Sequence, residues 1–190
     1  MIAAASSWVQ RWAPLAPPGE VLDLACGSGR HARHFAALGH PVLAVDRDSV
    51  ALDAAQGQGI TVMQHDLEDA ALPWPFARGR FAAIVVTNYL HRPLMDELLA
   101  SLRPDGLLIY ETFAKGNEAY GKPSNPLFLL DEGELLHHAA SAGLRVLAYE
   151  AGVIAAPKQA RVQRIAAVGA AFHPEAARLD APVPRETGQQ

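Results

Sequence analysis

The stretch VLDLACGSGRHA, residues 21–32, decides the fold. Its apolar beginning, residues 21–25, predicts a buried strand, and Gly27 and Gly29 end that strand in a tight turn. Small and apolar side chains then recur at helical spacing, which predicts a helix over residues 30–38. A strand, a glycine turn and a helix in this order are typical of a unit that binds a nucleotide at the helix N-terminus.

The spacing of small residues and one acid downstream strengthen this reading. Gly27, Gly29 and Ala32 satisfy the pattern G-x-G-x-x-G/A, in which glycines let a ligand approach the backbone. Asp46 stands at the end of the next apolar run, 17 residues after Gly29, where a carboxylate can accept both ribose hydroxyls of a nucleoside. The alternative is that the glycines only make a tight turn and that Asp46 only caps a loop.

Short apolar runs alternate with helical patterns from residue 20 to about residue 150. This alternation is typical of a doubly wound parallel sheet. The last two runs leave no room for a crossover helix between them, so they should pair antiparallel. We therefore predict an α/β fold with a doubly wound, mostly parallel seven-stranded sheet that ends in an antiparallel hairpin. The predicted strands are residues 21–25, 41–45, 60–64, 81–86, 107–112, 146–150 and 162–168.

Local signals mark several boundaries between these strands. Asp48 is placed to cap the second helix, and Asp131 with Glu134 resembles a capping box for a later one. Residues 66–80 hold two prolines and no clean period, so we predict a loop there. The sequence Pro-Asp-Gly at 104–106 predicts a turn before the fifth strand.

Composition limits the class of protein. The chain has 190 residues and a formal net charge of -4, which favours one domain and gives no general attraction to nucleic acid. A single cysteine, no signal-peptide pattern and no long apolar run predict a cytoplasmic protein without a membrane span. We expect an N-terminal helix or lid over 1–18, the main domain over 19–170, a disordered tail over 171–190, and a monomer or homodimer.

The segment VLDLACGSGRHARHFAALGH followed by VLAVDRD resembles the first two motifs of class I S-adenosylmethionine-dependent methyltransferases. The resemblance covers residues 19 to about 169 and implies a Rossmann-like methyltransferase fold with S-adenosylmethionine as cofactor. One departure is visible, because Ala25 stands where the family's D-x-G-x-G-x-G pattern has its first glycine. Its methyl group lies where the donor approaches the backbone.

The resemblance also implies roles for particular residues. Asp23 and the turn from Ala25 to Gly29 would hold the methionine portion of the donor, and Asp46 would bind the ribose. Asp66 and Leu67 would contact the adenine, and Asn88 with Tyr89 would line the methyl-transfer site. The full set of predicted cofactor-binding residues is Asp23, Ala25, Cys26, Gly27, Gly29, Asp46, Arg47, Asp66, Leu67 and Asn88.

Two other classes of ligand-binding protein compete with this interpretation. An NAD(P)-dependent oxidoreductase has the same glycine fingerprint, but the Asp23 carboxylate would face a pyrophosphate unfavourably and suits a cationic sulfonium and ammonium. A dehydrogenase also usually needs a substrate domain. A regulator that binds the cofactor without chemistry is the third alternative.

Catalysis of methyl transfer needs mainly positioning, so an acid or base is optional. If the acceptor must lose a proton, the candidates for the residue that takes it are His91, Tyr89, His65 and Glu111. All four are expected at the carboxyl ends of strands. No metal is expected, because the pair His31-x-x-His34 has no third ligand at a matching spacing.

The methyl acceptor is expected to be a small molecule. It would lie between the N-terminal helix, which carries Trp8 and Trp12, and the segment 114–128, with its side chains Tyr120, Lys122, Asn125 and Phe128. The small size resembles tellurite-resistance and thiopurine-type methyltransferases. The alternative is an RNA or protein methyltransferase, although the flat-base motif Asn-Pro-Pro-aromatic is missing after the fourth strand.

Overall fold

A computed structural model describes residues 3–173 and 175. Within them, seven strands form one sheet in the order β3-β2-β1-β4-β5-β7-β6. The first five strands run parallel, and β7 lies antiparallel between β5 and β6, so the predicted doubly wound sheet with a C-terminal hairpin is confirmed. The strands are β1 (Val21–Leu24), β2 (Val42–Asp46), β3 (Ile60–Gln64), β4 (Phe81–Thr87), β5 (Leu102–Phe113), β6 (Arg145–Ile154) and β7 (Ala160–Val168).

The fifth strand is longer than predicted. Leu102 already pairs with Phe81, and the register then shifts so that Leu107 pairs with Ala83. The Pro-Asp-Gly sequence at 104–106 is therefore an irregularity inside β5, since the chain is already extended before it. β6 and β7 also run beyond their predicted ends, because the hairpin pairing continues to Ile154 and Ala160.

Five α-helices of the described part of the chain flank the sheet: α1 (Ser7–Trp12), α2 (Arg30–Ala37), α3 (Ser49–Ala55), α4 (Met95–Ala100) and α5 (Glu134–Ser141). Asp48 caps α3 as predicted, accepting hydrogen bonds from Val50 and Ala51. The capping box of α5 forms only in part. Glu134 accepts the Asp131 N–H at 2.7 Å, but the Asp131 carboxylate pairs with Lys115 and Gly133 occupies the N-cap position.

The sheet separates two hydrophobic layers. One layer packs α1, α2 and α3 on the sheet around Phe35, Val85 and Ile109, and the other packs α4, α5 and the 66–80 loop around Ile84 and Tyr110. Strand β4 is buried on both faces along its whole length, as its continuous apolar sequence predicts. The carboxyl ends of the parallel strands therefore meet at one edge between the two layers.

The N-terminal helix α1 is part of the core. Trp8 and Trp12 are each 2% exposed, and the Trp8 indole N–H donates to the Ile165 carbonyl on β7 at 3.2 Å. The helix thus packs against the sheet as part of the core.

The C-terminal segment predicted as a tail begins with a packed residue. Phe172 is 5% exposed, and its carbonyl accepts a hydrogen bond from Arg145. Residues 174 and 176–190, where most of that predicted disordered tail falls, lie outside the described residues. Among the helices that the structure describes, none is long and apolar enough to cross a membrane.

Candidate functional site

The glycine turn after β1 is held by the end of β2. The Gly27 N–H donates to the Asp46 carboxylate at 2.8 Å, and the Cys26 N–H donates to the Val45 carbonyl at 3.0 Å. The second Asp46 oxygen accepts the Asp48 N–H at 3.0 Å. Asp46 therefore fixes the turn in the folded chain, in addition to any contact it makes with a ligand.

Three residues of this turn adopt the left-handed conformation, and each has a different surrounding. A Cβ on Gly27, at φ +52°, would meet no atom within 4 Å, so its face is open for a ligand. A Cβ on Gly29, at φ +76°, would lie 2.7 Å from the Ala55 Cβ, so this glycine permits close packing of α3. Ala25, at φ +53°, keeps a side chain in a conformation that glycine prefers.

Asp23 lies behind the turn. Its carboxylate is 1% exposed and accepts the Ala32 N–H at 2.8 Å, which anchors the first turn of α2. Burial raises the pKa of Asp23 to about 7. The Asp23 carboxylate thus contacts the backbone of α2, and its contact with the donor stays a prediction.

A first cleft of about 180 Å³ opens beside the turn at the carboxyl edge of the sheet. It brings together five of the predicted cofactor residues with three side chains from neighbouring loops. Three carboxylates face one guanidinium in this cleft, which suits a ligand with positive charge. The lining residues are Ala25, Asp46, Arg47, His65, Asp66, Leu67, Glu68 and Tyr89.

A second cleft of about 250 Å³ adjoins the first. Glu68 and Tyr89 line both clefts and so stand at their junction. Asn88, at φ +56°, lines the second cleft, and its N–H donates to the Glu111 carbonyl at 2.9 Å. The lining residues of the second cleft are Glu68, Asn88, Tyr89, Leu90, Thr112, Phe113, Pro123 and Phe128.

Tyr89 is held from its backbone, whereas its hydroxyl is left without a partner. The Tyr89 carbonyl accepts a hydrogen bond from the Tyr110 hydroxyl at 2.8 Å. The Tyr89 hydroxyl is buried and has no hydrogen-bond partner among the described residues. Burial, together with the carboxylates of Glu68 and Asp66, raises the pKa of Tyr89 well above its ordinary value. The phenol thus stays protonated at neutral pH and can donate or accept a hydrogen bond.

The other predicted catalytic residues are spread over different places. His65 lines the first cleft. His91 lines neither cleft and precedes a 3₁₀ turn over Arg92–Leu94, and its catalytic role stays a prediction. Glu111 is 7% exposed and pairs with Arg164 at 3.4 Å, which also places it outside both clefts.

Cys26 and His31 are buried and form hydrogen bonds within the fold. The Cys26 thiol is 7% exposed and donates to the Gly27 carbonyl, and burial raises its pKa, which fits packing and not nucleophilic attack. His31 is 1% exposed and links the Ser6 N–H to the Thr87 hydroxyl, each at 3.3 Å. No group of three or more metal-ligating side chains occurs in the part of the chain that the structure describes.

The predicted acceptor segment contributes to the second cleft only in part. Phe128 lines it, but Asn125 uses its side chain to cap the 3₁₀ turn Pro126–Phe128, and neither Tyr120 nor Lys122 lines it. The N-terminal helix contributes no lining residue to either of these two clefts, and an acceptor between it and the segment 114–128 stays a prediction.

Sequence reasoning missed four lining residues, Glu68, Leu90, Thr112 and Phe113. Glu68 follows the predicted pair Asp66-Leu67 almost directly, so its place after β3 was a usable signal. Thr112 and Phe113 end β5, and their position next to β4 follows from the strand order, which predicts that the ends of these strands meet.

This order of strands, with the glycine turn after β1 and an acid after β2, defines the class I S-adenosylmethionine-dependent methyltransferase fold. A family described as a methyltransferase domain matches residues 21–106. The chain thus contains a match to a methyltransferase domain and has the fold of class I S-adenosylmethionine-dependent methyltransferases.

Three known proteins show the extent of the similarity. The chain is 29% identical over 118 residues to the uncharacterized methyltransferase YodH of Bacillus subtilis, covering 57% of this chain and 48% of YodH. TehB from Haemophilus influenzae superposes with a TM-score of 0.73 at 17% identity, over 88% of this chain and 63% of TehB. Phosphoethanolamine N-methyltransferase 2 of Haemonchus contortus, in complex with S-adenosyl-L-methionine, gives a TM-score of 0.67 at 15% identity, over 86% and 51% of the two chains. The chain thus spans about half the length of the curated relative it matches.

Proposed function

We propose that this chain transfers a methyl group from S-adenosylmethionine to a small-molecule acceptor. The observation that carries the proposal is that two clefts meet at Glu68 and Tyr89, on the edge of the sheet where open α/β folds bind ligands. Each cleft alone is smaller than the roughly 300–1,000 Å³ of a usual ligand pocket, and the two joined reach that range. One cleft would hold the donor and the other the acceptor.

The residues of the first cleft fit the donor. The Asp46 carboxylate has acceptor capacity beyond its two backbone hydrogen bonds, as ribose hydroxyls require. Gly27 leaves an open face for the methionine portion, and Asp66 with Leu67 would border the adenine. Arg47 would flank the ribose. Ala25 would touch the donor with its methyl group, which stands in the cleft.

The remaining predicted cofactor residues would act through the shape of the turn. Asp23 holds α2, Cys26 fills space under the turn, and Gly29 admits α3. Asn88 would lie on the acceptor side. The proposed contribution of Asp23 is therefore to place the turn and not to bind the methionine portion directly.

The excess of carboxylates in the first cleft supports this donor over a nicotinamide dinucleotide. A pyrophosphate would face Asp46, Asp66 and Glu68 with only Arg47 to balance it. Bound S-adenosylmethionine supplies a methyl group already activated by the sulfonium. What the chain would add is in-line placement of the two reactants and exclusion of water, effects that can supply roughly 7–11 kcal/mol.

Titration calorimetry with S-adenosylhomocysteine and with NAD tests the donor. We expect binding of S-adenosylhomocysteine and none of NAD, and binding of NAD alone would favour an oxidoreductase. Incubation with methyl-labelled donor and size-fractionated cell extract tests the acceptor. Label in the metabolite fraction supports the proposal, whereas label in RNA or protein refutes it, with Gly27→Arg as the control that blocks the donor site. Donor binding without transfer to any fraction would indicate a regulator.

A further inference from the structure

We propose that the methyl acceptor is an amine carried on an aromatic or other flat apolar group, with Glu68 as the residue that receives its nitrogen. This inference rests on the proposed function and specifies its substrate class. It follows from the lining of the second cleft, from the sign of the charge there, and from the place of Glu68 at the junction of the two clefts.

The walls of the second cleft are apolar and aromatic. Leu90, Phe113, Pro123 and Phe128 are four of its eight lining residues. Phe128 is 45% exposed, so its ring is available at the mouth of the cleft. A flat apolar body would cover these side chains and gain from the removal of their surface from water, whereas a small, strongly hydrated anion would lose its hydration against them.

The charge of the second cleft selects against anions. Among the described residues that line it, Glu68 is the only ionisable side chain besides the phenol of Tyr89. Two basic side chains on the flanking segments, Arg92 and Lys115, are already engaged, and Lys122 beside Pro123 is exposed and lines neither cleft. Arg92 forms a bidentate pair with Glu134 at 2.7 and 2.8 Å, and Lys115 pairs with Asp131. A cationic nitrogen is thus attracted to Glu68, and an anion placed there is repelled.

Glu68 lies where the reacting nitrogen has to be. It lines both clefts, so a nitrogen held by its carboxylate in the acceptor cleft faces the donor cleft. The ring of Tyr89 stands beside it, with a buried hydroxyl that lacks a partner and can accept an N–H. A carboxylate and aromatic faces around one point are a favourable surrounding for an ammonium group.

The chemistry of the step balances with these groups. The ammonium group held at Glu68 first passes one proton through that carboxylate to solvent. The resulting uncharged amine then uses its lone pair to form the new N–CH₃ bond, while the S–CH₃ bond of the donor breaks and its electron pair stays on sulfur. The sulfonium becomes a neutral thioether, and the nitrogen gains the positive charge. The methylated nitrogen keeps this charge as an ammonium group, and no oxidant or metal is required.

The acceptor cleft is preformed, so its lining can select ligands. Asn117, 1% exposed, donates to the Pro123 carbonyl at 2.9 Å and accepts the Arg161 N–H at 3.0 Å. Arg92 donates to the carbonyls on both sides of Phe128, those of Leu127 and Leu129, each at 2.9 Å. These hydrogen bonds fix Pro123 and Phe128 before a ligand arrives.

Three probes of matched shape test the inference: 2-phenylethylamine, 2-phenylethanol and phenylacetate. Each is titrated into the protein saturated with S-adenosylhomocysteine, and the affinity is measured by calorimetry. We expect the amine to bind about tenfold tighter than phenylacetate because the two differ in the sign of their charge. Glu68→Gln should bring the two affinities within about threefold of each other. Glu132→Gln, an exposed position that lines neither cleft, should leave the ratio unchanged.

The outcomes separate this inference from the proposed function. Failure of the wild-type protein to bind S-adenosylhomocysteine overturns the proposed function. If S-adenosylhomocysteine binds, but phenylacetate binds as tightly as the amine or no amine binds, the substrate class is wrong and the proposed function stands. Phe128→Ala provides a second reading, because it should weaken the amine and the alcohol alike while the preference for the amine persists.

Discussion

Two neighbouring aspartates allow the ligand role of Asp46 to be separated from its structural role. Asp46 and Asp48 each accept two backbone N–H groups, Asp46 from Gly27 and Asp48, and Asp48 from Val50 and Ala51. Of these two aspartates, Asp46 lines the first cleft and Asp48 does not. Replacing either residue with alanine should therefore lower the free energy of unfolding, and only the change at Asp46 should also remove a ligand contact.

The expected magnitudes follow from these contacts. Loss of the Asp48 cap should cost about 1 kcal/mol of stability, and Asp46→Ala should cost about 1–3 kcal/mol because it leaves a turn N–H without its charged acceptor. Loss of the ribose hydrogen bonds should in addition weaken S-adenosylhomocysteine by about 1.5–3 kcal/mol, or roughly ten- to two-hundredfold in Kd. Asp48→Ala should leave the Kd within about twofold of the wild-type value.

Urea denaturation gives the stability of each variant, and titration calorimetry gives its affinity below the onset of unfolding. Asp46→Asn adds a control, since its amide oxygen can still accept the Gly27 N–H while the charge is lost. Equal weakening of S-adenosylhomocysteine by Asp46→Ala and Asp48→Ala would refute the ribose role. Loss of stability without loss of affinity at Asp46 would do so as well.

Three further predictions concern the residues around the turn. Burial lowers the pKa of His31 to about 3, below its unfolded value, so its contribution to stability is complete above about pH 6.5 and lost as pH falls. Between pH 6.5 and pH 5 the free energy of unfolding of the wild-type protein should therefore fall by about 2 kcal/mol through His31. His31→Gln should lack this fall, and urea denaturation at the two pH values measures it. Burial raises the pKa of Asp23 to about 7, so its charged form destabilises the fold as pH rises from about 4 to 7. The free energy of unfolding of Asp23→Asn should accordingly rise relative to that of the wild-type protein over that range, as measured by urea denaturation. A difference between the two proteins that does not change with pH would show that the Asp23 carboxyl titrates normally. Gly29→Ala should lower the free energy of unfolding by about 1–3 kcal/mol, because the new Cβ would lie 2.7 Å from a side chain of α3 at a left-handed φ, and a thermal shift of the apo protein measures it.

The fold was predictable because parallel strands leave a strong record in sequence. A strand covered on both faces reads as a continuous apolar run, and Phe81–Thr87 is buried at every position. The start of β5 was not predictable in the same way. Leu102 pairs with Phe81 before a register shift, and pairing between strands distant in sequence is not encoded in the local Pro-Asp-Gly signal.

The residues of the first cleft, proposed to hold the donor, were easier to predict from the sequence than those of the second cleft, proposed to hold the acceptor. Residues that follow consecutive parallel strands meet at one edge, so Asp46 and Asp66 could be placed together from the strand pattern alone. The position of His91 depends on the chain direction after Asn88. Asn88 adopts a left-handed backbone conformation, and the Tyr89 carbonyl accepts a hydrogen bond from the Tyr110 hydroxyl. The chain then enters the 3₁₀ turn Arg92–Leu94, whose residues line neither cleft.

The acceptor cleft depends on contacts between segments far apart in sequence. Asn117 joins the 123 region to the start of β7, and Arg92 joins the end of β4 to residues 127–134. Polar side chains that fix a loop in this way have no periodicity, so sequence alone does not separate them from ligand-binding ones. This is why Asn125, predicted beside the acceptor, instead caps a 3₁₀ turn.

The glycine turn also concentrates features that cost stability. Ala25 adopts a left-handed conformation with a side chain, and the buried Asp23 carboxyl has a raised pKa. The hydrogen bonds of Asp46 to Gly27 and of Asp23 to the α2 backbone offset part of that cost, and all of them form within the chain itself. The shape of the turn is therefore set before any ligand binds. It follows that substitutions at Asp23 should act on affinity through the folded turn, whereas a bulky side chain at Gly27, whose open face borders no protein atom, should act on the ligand directly.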